Sequence, residues 1–142
     1  MSLPPAERLR AAGLKVTKGR VAALESLAAQ SHATAEELQR RIAAEGVPMT
    51  LQAVYLALQV LTDAQVLRRI EPAGSAARYE LRVGDNHHHL VCTRCSRVVD
   101  VDCATEEAPC LLPADTHGFA VATAEITFWG LCPGCAEEEG AE

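Results

Sequence analysis

Hydrophobic residues in the first half of the chain recur at helical spacing. Leu9 and Leu14 bracket a short first helix that ends near Gly13. Thr17 is placed to cap a second, with Val21, Leu24 and Leu27 or Ala28 on one face. Thr34 and Glu37 form a capping-box pattern ahead of a third helix, whose stripe of Ala35, Leu38 and Ile42 stops at Gly46. Thr50 opens the clearest helix: Leu51, Val54, Leu58 and Leu61 make a core-facing stripe. Gln52, Ala53, Tyr55, Leu56 and Gln59 are left for its other faces. Two strand-like runs within Val66–Leu81 then flank the turn cluster Glu71-Pro72-Ala73-Gly74-Ser75. Short helices followed by a hairpin make a winged helix-turn-helix pattern, in which the helix before the wing enters the DNA major groove. Gln52 and Tyr55 would then meet bases or phosphates. The same periodicity also fits a helical bundle with a solvated face.

The pattern changes after the hairpin. LVC, RVVDVD and FAVATAEITFWGLC are rich in β-branched residues and predict three strands, with a short helix and loops between Cys103 and Gly118. The acidic tail, residues 137–142, is expected to be disordered. The chain thus reads as α+β, with one module over residues 1–83 and a second over 84–136.

Charge sharpens this division. The net charge of −6 argues against nucleic acid, but it is unevenly spread. Residues 1–72 hold nine Lys/Arg and seven Asp/Glu, a net of +2; residues 73–142 hold four and twelve, a net of −8. The first half can meet phosphates, and the second can hold cations. No apolar run is long enough to cross a membrane. The N-terminal segment MSLPPAERLRAAG lacks the apolar region of a signal peptide. A cytoplasmic location is therefore expected, and there six cysteines point to metal or redox chemistry before disulfides.

Cys92-x-x-Cys95 and Cys132-x-x-Cys135 are two knuckles, each placing two thiolates on one tight turn. Brought together they make the tetrahedral sulfur site that structural zinc accepts. An iron–sulfur site is the weaker alternative, and the βαβ setting of a redox Cys-x-x-Cys is missing. The run NHHHLVC separates by strand alternation: His87 and His89 share one face, and His88 points to the other. Glu80, Asp100 and His32 are further ligand candidates, and a mixed nitrogen/oxygen set suits Fe(II), Mn(II) or Zn(II).

These motifs together resemble the ferric uptake regulator (Fur) family over nearly the whole chain. The matching stretches are AGLKVTKGR, HATAEEL, LQAVYLALQVL, ARYEL, NHHHLVCTRC, VVDVD and WGLCPGC. Within the family, VGDNHHHLVC, DVDCATEEAPC and ITFWGLCPGC most resemble the catalase-linked, FurA/CatR-type branch of redox and iron regulators. The resemblance implies a homodimeric repressor. A winged helix would bind a palindromic operator, and a small α/β domain would dimerise. It implies structural Zn(II) at Cys92, Cys95, Cys132 and Cys135, and regulatory Fe(II) or Mn(II) at His32, Glu80, His87, His89 and Asp100. It assigns DNA contacts to Tyr55, Lys15 and Arg20, beside Gln52 from the helix pattern. His88, Glu107 and His117 resemble part of a further metal site, but the family's histidine before the last knuckle falls on Ala124. The arginine usual after the recognition-helix tyrosine is replaced by Leu56.

The implied targets are genes of catalase and peroxide defence or of iron homeostasis. Asp100, where many iron-sensing relatives carry Glu, resembles the peroxide-sensing branch. The sensor is then either iron-centred oxidation of a ligand histidine or oxidation of the thiols Cys103 and Cys110, which lie outside the knuckles. A regulator of Fe, Zn or Ni uptake without redox sensing is an alternative, as is a zinc-ribbon interaction module, although the latter leaves the capped helices and hairpin unexplained. An enzyme is not expected. No histidine is followed by x-Glu, and there is no H-E-x-x-H, so the acid/base group of a zinc deaminase or hydrolase is missing.

Overall fold

The computed structural model describes residues 3–72, 76–81, 87–102, 110–122 and 124–140, without the side chains of His87 and Glu139. The chain divides into two compact units, Met1–Val83 and Gly84–Glu142. The fold class is α+β, as the sequence pattern predicts.

The first unit is four helices and a hairpin: α1 (Pro5–Ala11), α2 (Lys18–Ala29), α3 (Ala35–Ala44), α4 (Leu51–Asp63), β1 (Leu67–Ile70) and β2 (Arg78–Leu81). Each of α2, α3 and α4 begins where a threonine hydroxyl accepts a backbone N–H in the first turn: Thr17 from Arg20, Thr34 from Glu37 and Thr50 from Ala53. Thr34 and Glu37 complete the reciprocal capping box. The helix ends share one device. After α1, Leu14 N–H donates to the Leu9 carbonyl and Gly13 N–H to that of Arg10. After α3, Val47 donates to Ile42 and Gly46 to Ala43. Both glycines have positive φ, as this Schellman closure requires. After α4 the same pair of bonds forms around Gln65, at φ 61°. Leu9, Leu24, Leu27, Leu38, Ile42, Val54, Leu58, Leu61 and Leu67 form the buried aliphatic core. Strands β1 and β2 pair antiparallel, with Arg68 opposite Glu80.

The second unit is a three-stranded sheet with one helix: β3 (His87–Cys92), β4 (Val98–Asp102), β5 (Thr127–Gly130) and α5 (Pro133–Gly140). Its strand order is β4-β3-β5, antiparallel between β3 and β4 and parallel between β3 and β5. Val99, Leu90 and Phe128 are register partners across the three strands, and all three are exposed. They make one apolar row on a sheet face.

Two expectations need correction, and a third falls largely outside the described residues. The short helix expected between Cys103 and Gly118 cannot be placed, because residues 103–109 are not described; within 110–118, His117 and Gly118 take positive φ in succession, and the Asp115 carboxylate accepts the His117 N–H at 2.8 Å. That is a turn, not a helical path. The third predicted strand shrinks to Thr127–Gly130, the stretch that meets β3 residues His89–Cys92. The tail is helical through Gly140, because Pro133 suits a first helical turn and the acidic run is made of good helix formers.

Candidate metal centres and nucleic-acid interface

The thiolate cluster is built by three tight segments of the second unit. Strand β3 ends at Cys92, and a turn through Cys95 and Ser96 (φ 64°) returns the chain so that Cys92 N–H donates to the Arg97 carbonyl at 2.9 Å. Cys132 immediately precedes α5, and its carbonyl accepts the Ala136 N–H, so Cys132 and Cys135 share one turn. Parallel pairing of β3 with β5 places Cys92 opposite Gly130 and brings the two knuckles together. One donor sulfur from each of Cys92, Cys95, Cys132 and Cys135 lies within 4.8 Å of the others. The Cys95–Cys132 Sγ separation is 3.8 Å. A tetrahedron with metal–sulfur bonds of about 2.3 Å has edges of about 3.8 Å, so the Cys95–Cys132 separation matches one edge of a four-sulfur metal site.

The thiols differ in acidity. Backbone N–H groups of Cys95 and Cys132, each 3.4 Å from Cys92 Sγ, push the Cys92 thiol down to about 6. Cys132 is lowered by the Cys135 N–H. Cys135 shares a hydrogen with the Cys132 sulfur and is buried, which pushes it up to about 12. N–H donors aimed at sulfur are what a thiolate ligand set uses to spread its negative charge.

Nitrogen and oxygen donors form a pair in each unit. In the first, His32 Nε2 lies 2.9 Å from Glu80 Oε2, and Glu80 is 2% exposed. Arg68, its register partner on β1, has its guanidinium 3.9 Å from the other carboxylate oxygen. His32 itself adopts φ 64°, a left-handed backbone that costs a non-glycine residue about 1–2 kcal/mol. Three bonds hold the chain there: His32 N–H to the Tyr79 carbonyl, Tyr79 N–H to the Ala33 carbonyl, and the Arg78 guanidinium to the His32 carbonyl, all at 2.9 Å. The histidine is thus pinned to wing strand β2. In the second unit His89 and Asp100 are register partners, and His89 Nε2 lies 3.5 Å from the Asp100 carboxylate. Either pair alone offers a first-row divalent ion one nitrogen and one carboxylate ligand. The His87 side chain lies outside the described residues.

His88 faces away from His89, as alternation along β3 demands. Its Nδ1 accepts the Ile126 N–H at 3.2 Å, which leaves the ring proton on Nε2, 3.2 Å from Cys110 Sγ. Both ring nitrogens are engaged in protein contacts. His117 is exposed and lies 3.6 Å from the Asp115 carboxylate. Among the described residues, neither histidine joins a group of three or more metal donors. Glu107, the third member of the further metal site expected with His88 and His117, lies outside the described residues, as does Cys103. Sequence reading missed the His88–Cys110 contact, because 22 residues without periodic pattern separate the two. It also missed Arg68 and Arg78, although hairpin register alone puts Arg68 beside Glu80.

On α4, Gln52, Tyr55, Leu56 and Gln59 are exposed while Val54, Leu58 and Leu61 are buried. Gln59 donates to Asp63 at 2.8 Å. Lys15 is exposed, and its carbonyl accepts from the half-buried Arg20 guanidinium at 2.9 Å.

Residues 11–129 match the family model described as the ferric uptake regulator family. Transcriptional regulator FurA of Mycobacterium tuberculosis is 50% identical over 131 residues, which cover 92% of this chain and 89% of that protein. Ferric uptake regulation protein 1 of Mycolicibacterium fortuitum is 46% identical over 121 residues, 85% of this chain and 75% of that one. Among solved structures, the ferric uptake regulator of Pseudomonas aeruginosa with manganese superimposes with a TM-score of 0.72 at 27% identity, over 92% of this chain and 99% of its own.

Proposed function

The chain belongs to the ferric uptake regulator family of metal-responsive transcriptional regulators, and from that premise we propose that it is a metal-dependent, peroxide- or redox-responsive repressor of a palindromic operator. Its targets are genes of peroxide defence, catalase among them, or of iron homeostasis, and it works in the cytoplasm. The observation that carries this reading is the buried His32–Glu80 pair: a nitrogen/oxygen ligand pair is fastened to a wing strand of the DNA-binding fold.

Zn(II) is held by Cys92, Cys95, Cys132 and Cys135, where the sulfur spacing fits it. Fe(II) or Mn(II) is held by His32 and Glu80 from the first unit together with His87, His89 and Asp100 from the second. Held by ligands from both units, the ion favours one arrangement of the winged helices over others, and the shift equals its differential affinity for the two. Within the first unit, Glu80 and His32 tie the loop before α3 to the wing, and Arg78 supports the tie. On the operator, α4 supplies Gln52 and Tyr55, and Lys15 and Arg20 meet phosphates. The exposed row Val99, Leu90 and Phe128 is the kind of apolar surface a second copy covers, and dimerisation doubles a weak local basic surface.

Two triggers compete. Bound Fe(II) supplies peroxide chemistry that oxidises a ligand histidine. Alternatively, Cys103 and Cys110 are oxidised, a reading favoured by the His88 proton directed at Cys110. Iron-centred oxidation is preferred because its ligand set is complete in the sequence. The experiment is an operator titration with and without Mn(II), for wild type and His32→Ala. Equal metal response in the two would remove His32 from the switch.

A further inference from the structure

Leu56 is 63% exposed, the most exposed large hydrophobic residue described in the first unit, and Tyr55 beside it is 46% exposed. Both lie in the first half of α4, one turn after Gln52, and Leu56 sits on the face opposite the buried Val54, Leu58 and Leu61, with Tyr55 on the flank. Helices that enter the major groove read bases from this half. A leucine there has no donor with which to hold a phosphate or a base-edge acceptor. The apolar group that the major groove displays is the thymine 5-methyl. The exposed apolar area is one side chain and one ring between Gln52 and Gln59, far below what a stable protein interface needs. It matches a methyl group. The basic balance of the first 72 residues matches a polyanion.

We propose that Leu56 is a specificity-determining residue that packs on a thymine 5-methyl group in each operator half-site, giving sequence selection where an arginine would give affinity. The inference rests on the DNA-binding reading above. It makes Leu56 a positional discriminator of thymine against cytosine and uracil, with Tyr55 and Gln52 setting register beside it.

The test uses full-length Mn(II)-loaded protein and a duplex enriched by it from a random library. Each thymine is replaced singly by deoxyuridine, which removes only the methyl. One thymine per half-site is expected to show about fourfold weaker binding when demethylated, the value of one buried methyl. Leu56→Ala, which removes the leucine from both half-sites, should bind the unmodified duplex about as weakly as wild type binds a duplex demethylated in both half-sites, and should be indifferent to those methyls. Leu56→Arg should steepen the salt dependence by about one phosphate contact per chain and lose the same discrimination. If no thymine shows methyl dependence, or if the dependence survives Leu56→Ala, the inference is overturned while the DNA-binding reading stands. If no duplex is enriched at all, that reading falls and the inference falls with it.

Discussion

His32 Nε2 and Glu80 Oε2 stand 2.9 Å apart, joining the loop before α3 to wing strand β2. The histidine occupies a left-handed backbone position that hydrogen bonds from β2 maintain, and the carboxylate is almost fully buried. Glu80→Ala removes the carboxylate that faces both His32 and Arg68. It is expected to destabilise the first unit by about 1–3 kcal/mol in urea unfolding, the range for breaking a buried polar pair. Metal-dependent operator binding should be lost as well. A Glu80→Ala protein of wild-type stability would show that the pair carries no structural load.

His87→Ala and His89→Ala should leave zinc content at the wild-type level. Operator binding should become insensitive to added Fe(II) or Mn(II), a loss of about 1–3 kcal/mol of coupling. Metal analysis and operator titration on the same samples check both parts. Full metal response in both variants would move the regulatory ligands elsewhere.

Cys92→Ser and Cys132→Ser each open the four-sulfur site. About one zinc per chain should be lost from either, and with it the fold of the second unit and the dimer, because metal binding energy there is folding energy. Light scattering and zinc determination test this. Retained zinc with normal dimer mass in both variants would refute the structural site.

Tyr55→Ala should weaken operator binding without altering dimer mass. Arg20→Ala should weaken it and also lower the slope of log affinity against log salt by about one per chain. Unchanged titrations for both would place the DNA surface off α4.

Gln65 closes α4 at φ 61°, where Gly13 and Gly46 close α1 and α3. Gln65→Gly should relieve left-handed strain and stabilise the first unit by up to about 1 kcal/mol. The unfolding midpoint should rise by roughly 3–6 °C. A fall would mean that the exposed Gln65 side chain makes a compensating contact.

The first unit was legible residue by residue, because its signals are local. Thr17, Thr34 and Thr50 announce helix starts through bonds three residues away, and Leu51–Leu61 carries its stripe within one helix. The thiolate cluster was legible by spacing alone. The His89–Asp100 pair followed from strand alternation once β3 and β4 were recognised as neighbours. What escaped depends on distant partners or weak composition. Helix α5 has few apolar residues and a low-complexity acidic sequence, so nothing in its pattern distinguished it from a solvated tail. Residues 119–126 have strand composition, yet strand composition does not select which four residues find the β3 ladder. The Arg78 bond to the His32 carbonyl spans 46 residues and leaves no periodic trace.

The cysteine knuckles also set a schedule for synthesis. The core of the first unit is complete once Tyr79 has been made, but the sulfur cluster closes only at Cys135. More than 50 residues lie between them, so at about 5–20 residues per second the winged helix leaves the ribosome several seconds before the last thiol. From Cys95 until Cys132 the nascent chain holds half of its sulfur ligands beside a completed N-terminal core. Zinc supply therefore acts on the last folding step of the single chain.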